Sequence, residues 1–303
     1  MVSSGGNDAG GPRPRASPLT LSENSEKRMT KTFIPAGRLS AKSRAFRNVV
    51  ADVRHAVFSV HRHRPLPDGQ FQITPLGSGF FVSSQVFLTC WHVIDSPNSP
   101  HQAGDIYKLV NNLDGMHGMI HDVSGGLGKD IHLYPDQDFA ILLSNTEPDQ
   151  AFLPISYASI PVGQEIGVAG YPLPRLVTDA NGSVTLTGMV YRVAKGVATA
   201  FYRTDLNSGD GHPLKDTMIL EVNFLFVPGN SGGPIFDAET GRAVAYVKGF
   251  QRYKIQEVHE QCELIQVPDG LTKEYLDSVY AVYSLGLTLE PVRAYLEKFG
   301  VSL

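Results

Sequence analysis

The sequence predicts a mainly β protein, two six-stranded antiparallel barrels with one helix before them and one after. From about residue 56 onward the apolar residues fall in short runs bounded by Gly, Pro, Asn and Asp, the pattern of strands joined by tight turns. Thirty glycines and twenty prolines in 303 residues suit many such turns. A hydrophobic content of 42% is ample for a large core or for two barrels sharing an interface.

Residues 1–38 are rich in Gly, Ser, Pro and Arg and hold few apolar residues, so the expectation is a disordered arm. Charge is unevenly spread. Residues 1–64 hold twelve Lys/Arg against four Asp/Glu, and the remainder holds fourteen against twenty-six. The basic arm therefore precedes an acidic body spanning 39–303. An acidic or activating partner for the arm is carried as an expectation, and nucleic acid is disfavoured.

Over 40–54 the pattern turns helical: Phe46, Val49, Val50, Val53 and Val57 form one stripe, with Ser40 as a cap. Lys42, Arg44, Arg47 and Arg54 occupy the remaining face, read as solvated. His61-Arg62-His63-Arg64 reads as a strand end rather than a metal site, because no further ligand cluster has the right spacing.

The first barrel is expected over about 56–150 and the second over about 153–287, joined near residues 145–152. The stretch 108–132 reads as a hairpin and loops, with His117, His121 and His132 at the surface. Residues 250–280 form a long polar insertion containing a short helical pattern at 272–279, read as a loop or lid beside a cleft. Over 289–299, Val292, Tyr295, Leu296 and Phe299 make a stripe, with Pro291 in the first turn and Gly300 as the stop.

The chemistry is concentrated in Pro228-Gly229-Asn230-Ser231-Gly232-Gly233-Pro234. A glycine-flanked serine presents a hydroxyl at a tight turn, where the N–H groups of Gly229 and Ser231 converge as an oxyanion hole with Asn230 between them. A serine hydroxyl needs a base, and a histidine base needs a carboxylate to fix its tautomer. His92 follows an apolar strand in Thr89-Cys90-Trp91-His92-Val93. Asp138 heads the apolar run Phe139-Ala140-Ile141-Leu142. Asp136 is the competing acid but stands out of phase with that run.

These elements resemble the trypsin-like serine proteases, closer to the bacterial HtrA type than to secreted digestive enzymes. The matching motifs are Gly77-Ser78-Gly79-Phe80, Thr89-x-x-His92-Val93, Asp138-Phe-Ala-Ile-Leu and Gly229-Asn-Ser-Gly-Gly-Pro234, in that family's His, Asp, Ser order. Weaker echoes are Val168-Ala169-Gly170-Tyr171-Pro172 as the strand opening the second barrel, Gly188-Met189-Val190 as the next, and Tyr283-Ser284-Leu285-Gly286-Leu287 as the closing one. The resemblance covers roughly residues 56–303.

It implies the chymotrypsin fold and a serine endopeptidase acting on protein or peptide substrates through an acyl-enzyme, with neither cofactor nor metal. The second reading is a protease-fold binding or scaffold protein with little or conditional turnover; a third is an esterase. The resemblance also implies that Leu225 lies near the base of the primary pocket, with Lys248 and Phe250 shaping its wall, so an apolar residue is expected before the scissile bond. Asn230 stands where digestive relatives carry aspartate, which removes their zymogen switch. No PDZ module is expected.

The two cysteines, Cys90 and Cys262, are read as unbridged and suit a reducing compartment. No apolar run is long enough to span a membrane and no signal-peptide pattern opens the chain, so the expected location is cytoplasmic.

Overall fold

The computed structural model describes residues 44–112, 119–123, 125–145, 149–172, 175–178, 184–188, 190–207, 213–257 and 278–301. All belong to the compact unit Ile34–Leu303. The arm at 1–38, Ser40, His117, Met189, Cys262 and the helical pattern at 272–279 lie outside the described residues.

Helix α1 spans Phe46–Val53. It begins later than the expected 40–54 stretch, at Ala45, whose φ of −59° and ψ of 131° are extended. Val49 and Val53 are fully buried, and Phe46 stacks on Phe236 at 6.1 Å. On the opposite face Arg44 pairs with Asp52 at 2.6 Å. Val57 does not continue the helical stripe; it opens strand β1.

The first half is a seven-stranded antiparallel sheet. Its strands are β1 (Val57–Pro65), β2 (Phe71–Phe81), β3 (Val86–Thr89), β4 (Ile106–Asn111), β5 (Met119–Val123), β6 (Ile131–Tyr134) and β7 (Phe139–Leu143). They are ordered β5-β4-β1-β2-β3-β7-β6. This sheet thus carries one strand more than the six expected of it. It curls around an aromatic core in which Phe81 meets Phe58 at 5.2 Å and Phe87 at 5.1 Å, both edge to face. His121 on β5 joins that core, 5.2 Å from the Phe58 ring and hydrogen-bonded to Gln150 at 2.9 Å. The surface position expected for His121 is therefore corrected: the curl of the sheet turns its side chain inward.

The second half is a closed six-stranded barrel in the order β11-β12-β15-β14-β13-β8. Its strands are β8 (Glu165–Gly170), β11 (Arg192–Asn207), β12 (Pro213–Val222), β13 (Pro234–Asp237), β14 (Ala243–Glu257) and β15 (Ser278–Thr288). Ile166, Val168, Leu220, Ile235, Ala245 and Val247 fill it. Between β8 and β11 a separate hairpin forms from β9 (Arg175–Thr178) and β10 (Val184–Gly188). Gly188 thus ends this hairpin, and the next barrel strand starts at Arg192 rather than at the expected 188–190.

The chain ends in a 3₁₀ turn at Glu290–Val292 and helix α3 at Arg293–Lys298, with Val292 and Leu296 fully buried. Tyr295 leaves the second barrel's sequence to pack on the first sheet, 4.4 Å from Tyr134 and 5.2 Å from Phe139. Among the described residues no helix is long and apolar enough to cross a membrane.

The His61-Arg62-His63-Arg64 stretch lies within β1, as the reading of a strand predicts. Burial, with the nearby His63 charge second, pushes His61 down from 6.5 to about 4. A histidine held neutral in the fold stabilises it fully above its unfolded value, and that stability is lost as pH falls from 6.5 toward 4. Chemical denaturation at about pH 7.5 and about pH 4.5 should show the wild type losing roughly 1–3 kcal/mol more than His61→Gln between those conditions.

Candidate active site

The register of the first sheet brings the candidate base and acid together. Thr89 on β3 pairs with Ala140 on β7, so the chain leaving β3 and the chain approaching β7 run side by side. Cys90 then caps the short helix α2, Trp91–Ile94, which carries His92. On the other side a 3₁₀ turn at Pro135–Gln137 ends in Asp138 with φ 51° and ψ 43°. This left-handed backbone is one that aspartate tolerates better than most residues.

The Asp138 carboxylate is 2% exposed and the His92 side chain 19%. Nδ1 of His92 lies 2.9 Å from both carboxylate oxygens, and the backbone N–H of His92 donates to Oδ1 at 3.1 Å. Lys248 on β14 also reaches this carboxylate, its Nζ 2.8 Å from Oδ2. Burial pushes the Asp138 carboxyl up, but the attraction and hydrogen bonding of His92 and then Lys248 hold it below its ordinary 3.8. Asp136, by contrast, is exposed, so the structure separates the two competing acids.

The turn before Asp138 is clamped from both halves. Tyr134 stacks on Phe139 at 4.4 Å, and the buried Tyr246 of β14 donates its hydroxyl to the Gln137 carbonyl at 2.9 Å. Burial raises the Tyr246 hydroxyl well above its ordinary value, so it stays a donor.

Ser231 is placed by the second barrel. The pairing of β13 with β14 continues into the turn that carries Ser231, where Val247 accepts from Gly232 N at 2.8 Å and donates to Gly233 O at 2.9 Å. The turn requires its glycines. Gly229 has φ 96° and Gly232 φ 82°. A side chain at Gly232 would also stand 2.3 Å from both Ser78 O and Thr89 Oγ1. Asn230 N bonds to Val227 O at 3.1 Å. The N–H groups of Gly229 and Ser231 have no hydrogen-bond partner among the described residues, which leaves them available to an oxyanion.

Hydrogen bonds tie this turn to the first sheet. Ser78 N donates to Ser231 O at 2.9 Å, and Ser78 Oγ donates to Gly229 O at 2.6 Å while accepting from Tyr171 N at 2.8 Å. The Ser231 hydroxyl itself bonds to Lys248 O at 3.4 Å. Among the described residues it has no hydrogen bond to His92.

One pocket expectation changes: the Lys248 side chain turns to Asp138 rather than to a pocket wall. Leu225 follows the end of β12 and is 61% exposed, and Phe250 on β14 is 42% exposed. The partner of Lys248 was not legible in the sequence; the one local signal was a lysine directly after the apolar run Ala243-Val244-Ala245-Tyr246-Val247.

Cys90, His92 and Asp138 bring ligand-type atoms within 4.8 Å of one another. Both carboxylate oxygens already face His92 or Lys248, and Cys90 Sγ lies 3.2 Å from Val247 O. An ammonium on the carboxylate opposes a second cation there, and no metal is assigned to this set.

Two antiparallel β-sheets, with the histidine and aspartate on one and the serine on the other, define the chymotrypsin-like class. The chain belongs to the trypsin-like peptidase domain family, whose model matches residues 77–245, more than half its length. The active form of the Rv3671c protease from M. tuberculosis is similar in fold at 19% identity and a TM-score of 0.51, covering 89% of this chain and 92% of that one. The HtrA-type protease AlgW with tripeptide aligns at 16% identity and a TM-score of 0.49 over 84% of this chain. This chain spans 63% of the AlgW chain. No curated protein matches.

Ser78→Ala would leave the Tyr171 N–H and the Gly229 carbonyl without their shared partner in a buried position. The expected cost is about 1–3 kcal/mol in chemical denaturation, with Ser78→Thr retaining more of the stability because it keeps a hydroxyl.

Proposed function

We infer that the protein is a serine endopeptidase, with Ser231 as nucleophile, His92 as general base and Asp138 as the acid that orients it. The observation that carries this reading is the coincidence of two unpartnered N–H groups beside Ser231 with a histidine held 2.9 Å from a buried carboxylate. A structural histidine–aspartate pair has no need of an adjacent open anion site.

The geometry supports a complete cycle. The Ser231 hydroxyl rotates from the Lys248 carbonyl toward His92, whose Nε2 takes its proton as Oγ attacks the scissile carbonyl. Asp138 keeps the remaining ring proton on Nδ1 and offsets the imidazolium charge. The N–H groups of Gly229 and Ser231 receive the negative oxygen. His92 then protonates the leaving amine, the acyl-enzyme forms, and water reverses the same steps.

The substrates are proteins or peptides. The exposed Leu225 and Phe250 offer apolar surface and no acid, so an apolar residue before the scissile bond fits and Lys or Arg does not. With two cysteines in 303 residues, a reducing, cytoplasmic setting suits the chain. The basic arm at 1–38 is left for an acidic or activating partner.

One observation favours the alternative of a binding protein with conditional turnover: the serine hydroxyl rests on Lys248 O rather than on His92. A fluorophosphonate probe separates the two. Labelling of wild type that disappears in Ser231→Ala and His92→Ala supports the enzyme, and Asp138→Asn should slow it by roughly 10³–10⁴-fold. Folded wild type that never labels, with or without partners, would sink the endopeptidase reading. Comparing peptide with ester substrates addresses the esterase.

A further inference from the structure

Lys248 touches both ends of the candidate site at once. Its backbone carbonyl receives the Ser231 hydroxyl at 3.4 Å, and its Nζ sits 2.8 Å from Asp138 Oδ2 and 3.4 Å from His92 Nδ1. The backbone explains how one residue does this. The pairing of β14 with β15 slips between Val247 and Gly249, so Lys248 is the extra residue of a β-bulge. Bulges re-aim a side chain. Gly249 follows with φ 149°, a conformation that side-chain-bearing residues rarely adopt.

We propose that the Lys248 bulge is a latch that holds the site in a resting arrangement, and that the ammonium must withdraw from Asp138 and His92 for full turnover. The inference rests on the endopeptidase reading of Ser231, His92 and Asp138. Two physical effects oppose catalysis while the latch is closed. The ammonium occupies Oδ2, one of the two carboxylate oxygens on which Nδ1–H of His92 rests, and so weakens the hold that orients the base. When His92 does become an imidazolium, it carries its charge beside a second cation, so the attraction of Asp138 is shared between two positive groups. The titratable groups around this carboxylate are His92, Lys248, Cys90 and Tyr246. The carbonyl adds a third restraint, since it competes with His92 for the nucleophile's proton.

The experiment compares wild type, Lys248→Met and Lys248→Arg, each with and without Ser231→Ala. It measures the fluorophosphonate labelling rate and steady-state hydrolysis of a peptide substrate. Removing the charge should raise the labelling rate and kcat by about 10-fold or more with KM little changed, while arginine stays within about 3-fold of wild type. The acid limb of the pH–rate profile should move to higher pH in Lys248→Met and not in Lys248→Arg. A merely structural role would move neither the profile nor kcat upward. Lys248→Gln, neutral and nearly as long, serves if the methionine variant does not fold. Wild type that labels at Ser231 while the neutral variants are no faster overturns the latch and leaves the endopeptidase reading intact. Labelling that survives Ser231→Ala, or is absent from wild type and all variants, overturns both.

Discussion

The interaction on which the site depends is the burial of one ionised carboxylate. Asp138 has lost nearly all contact with water, and an isolated charge in that position would be expelled or protonated. It stays ionised because the His92 ring and backbone N–H and the Lys248 ammonium converge on its two oxygens. These donors come from different parts of the chain, and one crosses from the second barrel to the first. The carboxylate is therefore a joint between the two halves as well as a member of the site. Its left-handed backbone adds strain, sustained by Tyr134, Phe139 and Tyr295 packed around the turn and by the Tyr246 hydroxyl on Gln137.

The serine is fixed by complementary means. Where Asp138 is held by charge, the Ser231 turn is held by backbone pairing. Val247 accepts from Gly232 and donates to Gly233, which extends the β13–β14 ladder into the turn. Ser78 pins the turn to the first sheet through two hydrogen bonds, from its N–H to Ser231 O and from its hydroxyl to Gly229 O, and its hydroxyl also accepts from Tyr171 N. Tight packing around Gly232 then excludes any side chain there. As a result the relative position of histidine and serine is set by cross-barrel hydrogen bonds, and the loops between strands can vary without moving it.

Features dictated by local chemistry were legible in the sequence. The glycines of the nucleophile turn, the apolar run after Asp138, the Val292–Leu296 stripe and the alternation of short strands with turns all follow from constraints within a few residues. Features that depend on pairing between distant segments were not. The bulge at Lys248 exists only because β15 pairs with β14 in two registers, and nothing local to the strand shows that this lysine is aimed across the molecule. His121 reads as a surface residue in isolation and is enclosed only by the curl that brings β5 over Phe58 and Phe81. The β9–β10 hairpin and the seventh strand of the first sheet likewise depend on tertiary pairing, and the late start of α1 has no side-chain cap to announce it.

On the endopeptidase reading, the requirements of folding and of catalysis pull in opposite directions at one carboxylate, and they meet at Lys248. For the folded state, a second cation on a buried acid is favourable: it satisfies an oxygen and lowers the cost of keeping the charge dry. For proton transfer the same cation is unfavourable, because the acid's attraction is needed most when His92 becomes charged. A hydroxyl or backbone N–H in place of the ammonium would satisfy the oxygen without that conflict. The residue sits on a bulge beside a glycine, its ammonium against His92 and Asp138 and its carbonyl against the Ser231 hydroxyl. Under the proposed latch, that placement gives the chain a charge whose position would change the site's reactivity while the barrels stay as they are.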